Sequence, residues 1–89
     1  MTVNEVQPTP NPNAMKIVLE KIVTERPLSF FNAEAGKGNA LAESLFAIAG
    51  VTSVLLLNDF VTVSKSADVA WRDLMPSIKK AIAGWPDVG

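Results

Sequence analysis

The chain has 89 residues, 48% hydrophobic and 19% charged, so it should fold as one small globular domain with a core no deeper than two layers. Eight basic and nine acidic residues give a net charge of −1, which argues against the basic footprint of a nucleic-acid binder, and no apolar run approaches the roughly 20 residues of a membrane span. Cysteine and histidine are both absent, which removes disulfides, thiolate and imidazole metal ligands and the usual base of a nucleophile–base pair. No cofactor is expected on these grounds, and Met1 to Gln7 has neither the basic residues nor the apolar stretch of a signal peptide, so the expected location is the cytoplasm.

Residues 1–13 are polar and carry Pro8, Pro10 and Pro12, whose alternation favours an extended arm over a helix. The arm reads either as a disordered leader or as an extended lead-in whose last residues pack; the second reading is preferred. The domain proper is placed at 14–89. Met15, Ile17 and Leu19 alternate with Lys16 and Glu20, the pattern of a half-buried strand. Thr24-Glu25-Arg26-Pro27 reads as a turn and Leu28 to Phe31 as a second short strand, which predicts a hairpin between the two. Residues 32–38 read as a flexible loop. Gly36-Lys37-Gly38 invites comparison with a phosphate-binding loop, but the spacing fits neither the P-loop nor the dinucleotide fingerprint.

Asn39 is the expected N-cap of a helix in which Leu41, Leu45, Ile48 and Ala49 form one apolar stripe, with Gly50 at its end. Val51 to Leu57 and Phe60 to Lys65 read as two strands joined by Asn58-Asp59, residue types that tolerate the positive φ of a tight hairpin. Asp68 is the candidate cap of a final helix whose stripe is Trp71, Leu74, Met75, Ile78 and Ile82. Pro76 either kinks that helix or pushes its start to Asp73; Gly84 should end it and Pro86 prevent its resumption.

Three stretches in this order resemble the N-terminal domain of NifU/Nfu-type iron–sulfur scaffold proteins. They are Thr9-Pro10-Asn11-Pro12-Asn13-Ala14-Met15-Lys16; then Leu45 to Val54 with Asp59-Phe60-Val61-Thr62-Val63-Ser64-Lys65; then Trp71, Leu74, Pro76 and Ile78. The resemblance implies a role in iron–sulfur cluster assembly or delivery, with scaffold, carrier or client proteins of that pathway as partners. In that family the cluster is associated with a separate C-terminal domain carrying C-x-x-C. A sequence without cysteine therefore resembles the accessory module, expected to act stand-alone, and any iron site on it would be oxygen-only and weak.

The residues themselves offer little catalytic chemistry. The nine carboxylates are scattered, and only Asp68 and Asp73 are near neighbours, at a spacing that places them poorly on one helix face. No serine has a base to activate it. Trp71 reads as core rather than pocket lining, and Trp85 as core cover rather than an exposed contact.

The expected fold is α+β: a two-layer sandwich of order ββαββα, with a four-stranded, mostly antiparallel sheet and two helices on one face. Met15, Ile17, Leu19, Val54, Leu56, Val61 and Val63 would then point inward, and Lys16, Val18, Glu20, Leu55, Leu57, Phe60 and Thr62 outward. A slip of one residue would exchange the faces of a strand. An outer face holding Val18, Leu55, Leu57 and Phe60 is more apolar than a solvated sheet needs, which makes these four the candidate partner-binding residues. The function expected is a non-enzymatic adaptor, with homodimerisation as a rival use of the face. The alternative is a small-molecule or iron-binding module with a pocket near residues 32–39. No catalytic, cofactor or metal residues are assigned, and neither nucleic acid nor a membrane is expected as a partner.

Overall fold

The computed structural model describes residues 1–85; Pro86 and Asp87, expected as a helix block and a surface carboxylate, lie outside the described residues. The elements run β1 (Val3–Pro8), β2 (Ala14–Leu19), β3 (Thr24–Phe30), α1 (Ala40–Phe46), β4 (Val51–Asn58), β5 (Phe60–Lys65) and α2 (Trp71–Ala83). One sheet holds all five strands in the order β1-β2-β5-β4-β3, and every neighbouring pair is antiparallel.

The expected four strands are therefore five. Residues 3–8 of the N-terminal arm pair with β2 through Val6↔Ile17, Gln7↔Lys16 and Pro8↔Met15. Val3 packs against the core, so that arm has apolar surface to bury. Pro8 ends an edge strand, where a missing N–H is tolerated. The expected hairpin between β2 and β3 is not formed either. The β4–β5 hairpin lies between them, because β2 pairs with β5 and β3 with β4. The link between β2 and β3 crosses the tip of that hairpin, with the Leu19 N–H donating to the Asp59 carbonyl (2.6 Å) and the Val23 N–H to the Asn58 carbonyl (2.7 Å). The strand β3 begins at Thr24, inside the expected turn, and an irregularity in its pairing between Thr24 and Leu28 accommodates Pro27.

The hairpin itself is as tight as its sequence suggests: Leu57 pairs with Phe60, and Asn58 takes φ +51°. Asn39 caps α1, its side chain accepting from the Ala42 N–H at 3.0 Å. That helix ends at Phe46, about a turn before Gly50, because the chain closes into a turn in which the Ile48 carbonyl accepts from the Val51 N–H. Gly50 still adopts φ +101°, now as the pivot into β4. Asp68 does not cap α2. Ala70 occupies the N-cap position in an extended conformation without a side-chain hydrogen bond, so the helix runs from Trp71 with Pro76 inside it and Gly84 as C-cap.

Residues 33–38, expected as a flexible loop, form successive turns. The N–H groups of Gly36, Lys37 and Asn39 each donate to the carbonyl three residues earlier. Gly36 is buried where a Cβ would lie 3.1 Å from that of Ala42 and 3.2 Å from the Phe46 ring.

The inner sheet face contributes Ile17, Leu19, Val54, Leu56, Val61 and Val63 to a core completed by Leu41 and Leu45 of α1 and Leu74, Ile78 and Ile82 of α2. Burying side chains of this size is worth roughly 1.5–3 kcal/mol each, which fixes both helices on that face. Trp71 and Trp85 are half-buried against the same cluster.

Candidate interaction surface

With both helices on the inner side, no element among the described residues covers the outer face of the sheet. Pairing register determines what stands on it. One cross-strand row reads Glu5 (β1), Val18 (β2), Phe60 (β5), Leu57 (β4); the next reads Gln7, Lys16, Thr62, Leu55, Ser29. Directly opposed side chains in such rows sit about 5 Å apart. Val18, Leu55, Leu57 and Phe60 thus share one contiguous patch, and each is half-buried by its neighbours. The inward set expected from alternation occupies the other face, with Met15 half-buried opposite Val63 and the remainder buried.

The patch has a charged element. The Lys16 ammonium stands 4.3 Å from the centroid of the Phe60 ring, within cation–π range. On β1, Gln7 Nε2 donates to Glu5 Oε2 at 2.6 Å. Glu20 lies past the end of β2, exposed, and accepts the Thr2 N–H at 2.9 Å. The polar residues therefore frame the apolar four rather than interrupting them. Two large apolar side chains not assigned to the patch from sequence are more exposed than any of its members: Ile22 (67%), in the link across the hairpin tip, and Phe31 (78%), just after β3.

At the opposite end of the sheet from the hairpin tip, Lys65 closes the inward row of β5 and is only 9% exposed. Its ammonium donates to Asn13 Oδ1 (3.1 Å) and to the Ser66 carbonyl (3.2 Å), and lies 5.6 Å from the Trp71 ring centroid. Trp71 Nε1 donates to the Pro12 carbonyl at 3.0 Å. Thr9 Oγ1 has the Asn11 and Ala14 carbonyls as alternative acceptors for its one O–H and accepts the Asn11 N–H. The three sequence stretches that carry the family resemblance thus meet at one corner. This cluster was not anticipated from sequence; the signal was the placement of Lys65 in phase with Val61 and Val63.

A third feature is an open hollow of about 570 Å³ lined by Ala33, Lys37, Glu43, Phe46 and Ala47, beside the 32–39 segment. Glu43 is engaged at its rim, accepting the Gly38 N–H at 2.7 Å. Among the described residues, no three His, Cys, Asp or Glu side chains come together as a metal site, and no helix is long and apolar enough to cross a membrane.

A two-layer α+β module with one bare, partly apolar sheet face is the class that this geometry defines. Residues 3–87 match the family described as scaffold protein Nfu/NifU N terminal, and the chain belongs to that family. It is 40% identical to NifU-like protein 4, mitochondrial, of Arabidopsis thaliana over 79 residues, which are 88% of this chain and 28% of that protein. It is likewise 40% identical to the human NFU1 iron-sulfur cluster scaffold homolog, mitochondrial, over 80 residues, 88% of this chain and 32% of that protein. The chain therefore spans less than a third of these relatives' length. The solution structure of a NifU-like protein from Saccharomyces cerevisiae superimposes with a TM-score of 0.79 at 24% identity, covering 99% of this chain and 82% of that one. Protein SAV1430 of Staphylococcus aureus gives 0.77 at 24% identity, with 92% and 99% covered. At that identity the two structures establish the shared fold alone.

Proposed function

We propose that the protein is a non-enzymatic adaptor of iron–sulfur cluster assembly or delivery, holding scaffold, carrier or client proteins of that pathway on its outer sheet face. Membership in the Nfu/NifU N-terminal family supports a role related to iron–sulfur cluster biogenesis. The observation that carries the adaptor reading is the contiguous group Val18, Leu55, Leu57 and Phe60 on the face opposite the helices. Leaving several such side chains half-covered forgoes part of the roughly 1.5–3 kcal/mol that full burial of each is worth, and surfaces of this kind are usually used for contact. A chain without cysteine or histidine has no thiolate or imidazole with which to act as the cluster holder itself. The proposed location is the cytoplasm, although both relatives named above carry mitochondrial names.

The test replaces Leu57 and Phe60 together by glutamine. The double variant should keep its circular-dichroism spectrum and no longer retain iron–sulfur proteins captured by the native chain. Retention of those partners by a folded double variant would reject the face as the adaptor surface. Light scattering of the native chain separates the rival use: a dimer that becomes a monomer on substitution would assign the face to self-association.

The hollow beside residues 32–39 gives a specific ground for a second reading, a small-molecule module. Its lining of two alanines and one phenylalanine with Lys37 and Glu43 suits a small, largely apolar ligand with one polar group better than a hard cation.

A further inference from the structure

The outer face can be engaged in two ways, by adding a strand to an edge of the sheet or by laying an element across the face, and the edges argue against the first. β1 ends in Pro8 and its pairing shifts between Val3 and Glu5; β3 carries Pro27 and its pairing shifts between Thr24 and Leu28. Proline and irregular pairing on both free edges are the devices that prevent strand addition. What remains is contact across the face. The apolar residues there lie on three neighbouring strands, β2, β5 and β4, so the patch is about 10 Å wide, the diameter of one α-helix.

The charge on the patch limits what that helix can carry. The ammonium of Lys16 rests on the Phe60 ring, and no carboxylate among the described residues is paired with it. An element covering Phe60 would also cover Lys16; Gln7 stands opposite it and keeps the Glu5 carboxylate as its own acceptor, so a cation desolvated there without a paired carboxylate is costly unless the incoming surface supplies an anion. Resting on the adaptor reading of this face, we propose that its occupant is an amphipathic helix of a partner protein. That helix carries an apolar stripe seated on Val18, Leu55, Leu57 and Phe60, with a carboxylate beside the stripe that pairs with Lys16.

Synthetic helical peptides of about 15 residues, long enough for some helix in water, serve as probes. They share leucines at i, i+3, i+4 and i+7 and differ only in having Glu, Gln or Lys beside that stripe. Titrated into the isotope-labelled protein, the Glu peptide should shift the amide resonances of Lys16, Val18, Leu55, Leu57 and Phe60. It should bind at least about tenfold tighter than the Lys peptide, the scale of one charged hydrogen bond. Lys16→Glu should invert the order of the Glu and Lys peptides, and Lys16→Gln should level it, both variants retaining the native spectrum. Shifts on the face without charge preference would overturn the acidic helix while leaving the face as a docking surface. Shifts confined to β1 or β3, or no shift with any peptide, would overturn it as well. Failure of the adaptor reading shows separately, as partner retention by the Leu57/Phe60 double variant.

Discussion

Gly50 shows how one residue couples two elements. Its φ of +101° belongs to the region that L side chains avoid, and a Cβ at that site would meet Val69 Cγ2 at 3.1 Å. Both effects act together, so Gly50→Ala should lower stability by about 1 kcal/mol or more. Gly38 is the internal control: its φ is +93°, but nothing lies within 4 Å of the point a Cβ would occupy. Gly38→Ala should therefore show the backbone cost without the collision and fall short of Gly50→Ala. Urea titrations of the two variants measure this as a difference in midpoint at constant slope; equal midpoints would show that Val69 yields freely. The positive φ of Gly50 and of Asn58 was legible in the sequence, because each conformation follows from the residue type and its immediate neighbours. The early end of α1 at Phe46 was not, since it depends on a turn closed by the Val51 N–H.

Among the elements, the central hairpin and the stripe of α2 followed from periods of two and of 3.6, and periodicity placed Leu74, Ile78 and Ile82 in the core. The same alternation put Val18, Leu55, Leu57 and Phe60 on one face. Periodicity carries no information about which strands are neighbours. The insertion of β4–β5 between β2 and β3 was therefore hidden, and so was β1, in which Val3 and Val6, three residues apart, oppose inward residues of β2 only through the shift in pairing between Val3 and Glu5. The link from the Pro12 loop to α2 is equally non-local, yet it can be tested. Trp71→Phe keeps an aromatic ring near Lys65 and removes the N–H that reaches the Pro12 carbonyl. The expected loss is about 0.5–1.5 kcal/mol. Hydrogen exchange should accelerate selectively at the Lys65 amide, which donates to the Asn13 carbonyl at 2.8 Å. Uniform acceleration across the sheet would mean that the indole serves the core alone, with no special hold on the loop.

For the molecule as a whole, composition determines one outcome before any geometry enters. With no cysteine and no histidine, anaerobic reconstitution with iron and sulfide should leave the monomer without the visible absorption of a cluster. A stoichiometric chromophore on the monomer would contradict this and demand ligation without thiolate or imidazole. In the adaptor reading the cluster stays on the partner, and the chain contributes a binding face.

The amino group of Met1 donates to the Ala83 carbonyl at 3.4 Å, so the start of the chain and the end of α2 meet at one corner. In architectural terms the domain is a plug whose first residue and last helical turn share one side. At that corner Met1 packs with the helix-covered core rather than with the bare face. Such a plug can be set into longer polypeptides of varied design without rebuilding its sheet. Relatives more than three times as long as the matched segment hold a similar sequence within a much longer polypeptide.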